Sequence, residues 1–285
     1  MDNSMTTNAK RAQMDLLAEL DRICKKWDIP YFLIGGTLIG AIRHGGFIPW
    51  DDDIDVGLLW EDYAKLKQVC EEELDPQYFL HDWDSDPASP HPFYKLKIRG
   101  THYPEGLAAG SKMNDGIYID IFPYDNIPES QFLQKIHAAR IYLIRKILLL
   151  RCGFDLSGNS TLKKILNGTL KFCSRILSVK CWKKKYMSIS HRYNGEQTTY
   201  VTNMGGSYSY WRESKPRAIL EAVTDHKFED GMFSIPEDYD TFLRSCYGDY
   251  MQLPPEHQRI GRHDVGDIDF GDYQIRYQGK IGDSV

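Results

Sequence analysis

Three short stretches of this chain hold residues whose types and spacing could do chemistry. The first, residues 34–58, reads IGGTLIGAIRHGGFIPWDDDIDVGL. Gly35, Gly36 and Thr37 suit a tight turn where backbone N–H groups approach an anion. Asp51, Asp52, Asp53 and Asp55 follow and run into Ile54, Val56 and Leu58. Read as a strand, residues 53–58 set Asp53 and Asp55 on one face and the aliphatic side chains on the other. Adjacent carboxylates repel unless a cation lies between them. An anion cradle followed by a cation clamp is what a phosphate-bearing substrate with Mg²⁺ requires. The plainer alternative is a solvated acidic loop after an ordinary glycine turn. The alternation of acids with apolar residues favours the metal site.

The second stretch, residues 93–99 (FYKLKIR), alternates strictly, with Lys95, Lys97 and Arg99 on one face. It is either a strand with one wet face or, beside Asp53 and Asp55, a cationic row that meets phosphates. The third, residues 116–122 (GIYIDIF), sets Asp120 between large hydrophobic side chains. A carboxylate there needs a partner, either a buried Arg or an active site. Arg43 and His44 lie between the glycine turn and the acids; Arg43 reads equally as a phosphate contact or as a salt bridge to the Asp run. After the Pro254-Pro255 pair come Glu256, His257, Arg259, Arg262 and His263, which read equally as anion or acceptor contacts and as a solvated tail.

The elements that must position these residues follow from periodicity. Residues 9–27 carry apolar positions at helical spacing, Pro30 ends that helix, and residues 31–34 form a short buried strand. Residues 37–43 open a helix whose first N–H groups would face a phosphate. Trp50 belongs at the base of the following loop. Residues 61–74 return to helix, 78–80 to strand, and 81–92 to a loop whose His81 and His91 are expected at the surface. Residues 130–192 turn helical, with a Gly/Ser/Asn break at 153–160. Residues 200–211 (YVTNMGGSYSYW) read either as an aromatic loop able to cover a sugar or a quaternary ammonium, or as an ordinary strand and turn.

Gly36-Thr37 followed by Asp53-Ile54-Asp55-Val56 resembles the nucleotidyltransferase-fold signature. The longer string GTLIGAIRHGGFIPWDDDIDV is similar to the LicD family of phosphocholine transferases, whose core fukutin and fukutin-related protein share. Phe228-Glu229 and YGDYMQLPPE resemble the carboxy-terminal sequence of that family, so the likeness covers about residues 13–125 and 220–263. Fifteen residues separate Thr37 from Asp53, long for the superfamily but natural for LicD-like members.

The resemblance implies an α+β fold, a nucleotidyltransferase-like mixed sheet flanked by helices, with a mainly helical basic insertion. The expected division is a catalytic core at 1–128, the insertion at 129–195, and a substrate-binding part at 196–285 that packs on the core. It implies that Asp53, Asp55 and Asp120 are catalytic and hold Mg²⁺, with Mn²⁺ as the alternative. Gly36, Thr37, Arg43, His44, Lys95, Glu229, Arg259 and His263 would then contact substrate. The implied reaction passes phosphocholine, or a related phospho-alcohol, from CDP-choline or a similar CDP-alcohol to a glycan hydroxyl or a lipid-linked glycan, releasing CMP. Teichoic acid, capsule, lipopolysaccharide and lipid-linked sugar all fit as acceptor. The rivals are transfer of the nucleotidyl half to a small molecule or protein, and a non-catalytic glycan or lipid adaptor.

Composition bounds these readings. With 285 residues, 42% of them hydrophobic and 26% charged, the chain can bury a full core. No apolar run reaches the eighteen or so residues of a spanning helix. The amino terminus lacks the apolar core of a signal peptide, and the six cysteines lack metal-finger spacing. Reduced, mostly buried thiols in a cytoplasmic protein are therefore expected. The net charge of −5 is uneven: residues 129–192 carry fourteen Lys and Arg against Glu129 and Asp155, leaving −17 on the remainder. An acidic body argues against nucleic acid as a partner. The basic segment suggests docking on an anionic surface, including the inner face of a membrane.

Overall fold

The computed structural model describes residues 3–106, 111–156, 158, 160–261 and 265–282. The first part of the chain contributes α1 (Asn3–Trp27), β1 (Phe32–Leu33), α2 (Gly35–His44), β2 (Asp55–Leu59), α3 (Trp60–Glu73), β3 (Tyr78–His81), β4 (Tyr94–Ile98) and β5 (Tyr118–Asn126). The helices α4 (Gln131–Arg151), α5 (Thr161–Cys173) and α6 (Val179–Ser190) follow. Then come β6 (Tyr200–Thr202), α7 (Tyr210–Glu213), β7 (Ser214–Pro216), α8 (Ala218–Glu221), β8 (Val223–Phe228), β9 (Gly231–Pro236) and α9 (Tyr239–Tyr247). The fold is α+β, as expected.

The strand order is β1-β2-β5-β4-β3, with β6 on the far end of β5 and β7 beside β6. β2 runs parallel to β5, while the β1–β2, β4–β5 and β3–β4 pairs are antiparallel. Every residue of β5 is buried. This central strand outlasts its expected end at residue 122 and passes through Pro123. The reason lies in the ladder. The Asp120 N–H donates to Ile54 O on the β2 side, so alternation turns the Pro123 nitrogen to the opposite side. There the pairing with β4 has already ended at Tyr94↔Ile121, and no donor is needed.

Tyr63 of α3 stacks on Tyr94 with ring centroids 4.0 Å apart, and Tyr94 is paired with Ile121. α3 therefore covers the sheet face that carries Ile119 and Ile121, both fully buried. α1 contacts α3, β4 and β5 and shares that layer. Asp120 points to the other face. One core runs from Ala9 in α1 through the sheet to Phe228, Phe242, Ile268 and Ile281 near the carboxy terminus. Ile127, Ile141, Ile144, Leu148, Tyr186, Ile189 and Met204 form a second, smaller core under the basic helices.

Two expectations need correction. His81 lies at 0% exposure, bonded to Asp86 at 3.0 Å, and burial pushes its pKa down to about 4. Its strand ends one residue later than expected, which carries the ring inward. The Lys95 and Lys97 face is not wet either; both are buried. The cysteines are free thiols, with Cys24, Cys70 and Cys246 buried and Cys173 and Cys181 exposed.

Candidate active site

Register brings the three chemical stretches together. Asp55 of β2 pairs with Asp120 of β5, and Asp120 pairs with Lys95 of β4. Paired residues on neighbouring strands project to the same side, so Lys95, Asp120 and Asp55 form one row across three strands. Lys95 Nζ lies 2.8 Å from Asp120 Oδ1 and 3.9 Å from Glu105 Oε1. Its ammonium also sits 3.4 Å from the centroid of the Tyr118 ring. Burial works against the Lys95 charge, yet Asp120, Glu105 and Asp53 outweigh it and hold its pKa above the ordinary value. Lys97 lacks that balance: burial first, then the neighbouring Lys95, push it down to about 7.

Asp55 is the strained member of the row. Enclosure, then the charges of Asp53, Asp120 and Asp51, raise its pKa well above the usual carboxylate range, with Lys95 pulling the other way. Its backbone is fixed from the glycine turn, since the Asp55 N–H donates to Thr37 Oγ1 at 2.9 Å. Thr37 belongs to the first turn of α2, whose N-cap Ile34 supplies no capping side chain. Glycine is required here by close approach. A Cβ on Gly36 would stand 2.1 Å from Asp51 Oδ2, and one on Gly35, where φ is +60°, would stand 2.7 Å from Asp55 Oδ2. The start of α2 thus lies directly against the acids.

Among the described residues, the group of three ligand-type side chains whose donor atoms all lie within 4.8 Å of one another is Asp51, Asp52 and Asp53. The acids form two adjoining sets, this one on the loop and the Asp55–Asp120 pair on the sheet. Asp53 precedes β2 rather than lying in it, and it is the charge that acts most strongly on Asp55. All five side chains offer oxygen donors alone, which suits a hard divalent ion such as Mg²⁺ or Mn²⁺. The mutual repulsion that perturbs Asp55 is what such an ion would relieve.

The loop is pinned from outside by residues the motifs did not mark. Asp52 O accepts from Gln13 Nε2 at 3.0 Å and from Tyr103 OH at 2.9 Å. Lys10 donates to Pro49 O at 3.2 Å; burial lowers its pKa, and Asp51, Asp52, Glu229 and Asp53 oppose that shift. Glu105 takes the Tyr118 hydroxyl and faces Lys95. Lys10 and Gln13 left one legible trace: they are polar residues on the otherwise apolar, buried face of α1.

The remaining candidates divide. Arg43 forms no salt bridge to the Asp run: Nη1 donates to Tyr250 O at 2.6 Å, and burial with the nearby Arg259 lowers its pKa. Arg259 lies over the Trp50 ring at 5.6 Å, and His44 meets the same ring edge-on at 6.3 Å. Gly261 passes Asp52, its Cβ position 3.1 Å from Oδ2. Arg43, His44 and Arg259 therefore gather around Trp50 at the border of the acidic loop. Glu229 is placed otherwise. At φ +54° it turns both carboxylate oxygens onto backbone, accepting from Phe47 N at 2.8 Å and Gly282 N at 3.0 Å. Its visible work is to hold the loop after α2. His263 lies outside the described residues.

Comparison with known proteins follows this geometry. The family model described as LicD/FKTN/FKRP, nucleotidyltransferase domain, matches residues 28–140, which hold Asp51, Asp52, Asp53, Asp55, Glu105 and Asp120. The lipopolysaccharide cholinephosphotransferase LicD of Haemophilus influenzae is 30% identical over 255 residues, covering 88% of this chain and 92% of that protein. The ribitol 5-phosphate transferase FKRP of Homo sapiens is 49% identical over 41 residues, 14% of this chain and 8% of that protein. A crystal structure of ANT(2")-Ia in complex with adenylyl-2"-tobramycin overlaps 64% of this chain and 98% of that one, at 15% identity and a TM-score of 0.23, too slight a likeness to build on. By the extent of the match to the Haemophilus protein, this chain belongs to the LicD family and is a transferase of that type.

Proposed function

We propose that the chain transfers phosphocholine, or a related phospho-alcohol, from a CDP-activated donor to a hydroxyl of a cell-surface glycan or its lipid-linked precursor, releasing CMP. The observation that carries this reading is the row of Lys95, Asp120 and Asp55 in register at the start of α2. Two relatives support it, since both are named for moving an alcohol phosphate: one as a cholinephosphotransferase acting on lipopolysaccharide, the other as a ribitol 5-phosphate transferase. In this reading the reaction takes place on the cytoplasmic side, at the inner face of the membrane.

In this reading Asp53, Asp55 and Asp120 hold Mg²⁺, with Mn²⁺ as a substitute. When bound, the ion neutralises the pyrophosphate of the donor and draws charge from its bridging oxygens. The protein residues position and screen. Gly36 and Thr37 hold phosphate oxygens against the open N–H groups of α2. Lys95, kept charged by its acidic neighbours, offsets the charge that develops on the transferred phosphoryl group. The charge of Arg259 acts against that of Arg43, and an anionic group of the donor bound near both relieves it. Asp120 takes the proton of the attacking glycan hydroxyl. Phosphoryl transfer depends mainly on positioning and charge, so these few groups can supply most of the rate.

Product analysis tests the proposal. The chain is incubated with Mg²⁺, CDP-choline and candidate glycans, after a screen of CDP-alcohols for ion-dependent thermal stabilisation. CMP released one for one with a phosphocholine-bearing glycan is expected. Phosphocholine released with a cytidylylated target, or inertness toward every CDP-alcohol, would overturn it.

A further inference from the structure

We infer that α5 is an interfacial helix that docks the protein on an anionic lipid surface. A surface helix ordinarily turns its apolar stripe to the core. α5 does the reverse: the residue it buries is the polar Asn167. Leu162, Ile165, Leu166 and Phe172, with Ile176 just beyond its end, recur at spacings that share one helical face. They are 67%, 62%, 58%, 69% and 86% exposed. Phe132, near the start of α4, adds 70% exposure in the same lobe.

Charge selects the occupant. Lys163, Lys164 and Arg175 are exposed and Lys171 is half-buried on or just after this helix, and residues 129–192 hold fourteen basic side chains against two acids. Basic side chains lift their charged ends to the headgroups while the apolar face enters the acyl boundary, the pattern of an interfacial helix. At thirteen residues α5 is about 20 Å long, too short to span. Among the described residues, no helix is long and apolar enough to cross a membrane. α5 lies on the surface.

The inner side of α5 faces a cleft of about 840 Å³ shared with α4 and residues 203–211 and lined by Tyr142, Lys146, Asn167, Tyr208 and Trp211. Arg145 of α4 clamps the Gly205 and Gly206 carbonyls at 2.8 and 2.9 Å. The Cβ position of Gly205 stands 3.4 Å from Phe122, which shares the sheet face of Asp120. The lipid-facing lobe and the acidic row are thus joined through one short loop.

The docking is independent of the transferase reading, because vesicle binding is read without turnover. The full chain is floated with vesicles of phosphatidylcholine alone or with about 30% phosphatidylglycerol, in low and high salt. An environment-sensitive fluorophore on Cys173, in a Cys181→Ser background, reports entry of the face into the acyl boundary. Wild type should bind the anionic vesicles about tenfold or more tightly than the neutral ones, weaken in high salt and shift the Cys173 probe to the blue. Ile165→Glu with Phe172→Glu should abolish both signals while leaving the thermal midpoint unchanged. Binding unaffected by those substitutions, or absent from all vesicles, overturns the inference. So does a wild-type dimer in lipid-free buffer that the same substitutions split, since α5 would then serve a second copy.

Discussion

The sheet end around Asp55 and the helical lobe around α5 depart from the ordinary partition of side chains in opposite directions. At the sheet end, charge is inside: Lys95, Asp120, Asp52 and Lys97 are buried within one row and its loop. In the lobe, hydrocarbon is outside, with five large apolar residues from 162 to 176 more than half exposed. Charges belong in water and aliphatic chains out of it, so each region is held in a state that folding alone would not choose. The first is balanced within the protein, where the ammonium of Lys95 answers Asp120 and loop hydrogen bonds fix the acids. The second has no internal counterpart of that kind. A site for chemistry is stabilised by its own shell, whereas a docking face waits for its surface. Functional sites are where such departures are expected.

The largest effects test the acid row. Asp55→Ala and Asp120→Ala should each lower turnover on the order of 10³-fold, the scale of losing one electrostatic contact to a reacting group. Far-ultraviolet circular dichroism should stay unchanged. Ile165→Glu, in the other region, should leave turnover on a soluble glycan acceptor as it was. Next comes Lys95→Met, which strips the buried partner of Asp120 and should cost about 3–5 kcal/mol in urea unfolding. Adding Asp120→Asn to it should recover part of that loss, because the uncompensated buried charge goes with it.

Within the lobe the same comparison can be sharpened by truncation. Leu148, 1% exposed in the small core, should cost about 2–5 kcal/mol as Leu148→Ala. Leu166→Ala, 58% exposed, should change stability by no more than about 0.5 kcal/mol. A further effect is a pH dependence at the far end of β5. Burial raises Asp125 to about 7 in spite of the hydrogen bond from Asn194. A folded-state pKa above the unfolded one adds stability at low pH that is lost as pH rises. Thermal stability of wild type should therefore fall between about pH 4 and about 7, and Asp125→Asn should flatten that fall.

Much of the acid row was legible because alternation is a strong constraint. Asp120 between isoleucines, and Asp55 leading into Val56 and Leu58, could share a face only if their strands were neighbours, as they are. Lys95 was legible for the same reason. What stayed hidden depends on long-range closure. Nothing local ties Gln13 or Tyr103 to Asp52, or Glu105 to Lys95. Of the two readings open for Arg43, the salt bridge to the Asp run is not formed; the segment after α9 supplies carbonyls to it instead. Helical periodicity was legible over residues 130–192; it cannot say whether a face turns inward or outward. β5 outruns its expected end at Phe122 because a proline is tolerated where the neighbouring ladder has ended.

The central claim is that acids from two neighbouring strands and the adjoining loop share one divalent ion. Electron paramagnetic resonance of Mn²⁺ with the purified chain, with and without CDP-choline, measures this most directly. Wild type should bind Mn²⁺ displaceably by Mg²⁺ and more tightly when the CDP-alcohol is present, and both Asp55→Ala and Asp120→Ala should lose that binding while remaining folded. Mn²⁺ affinity unchanged in the two variants would contradict it.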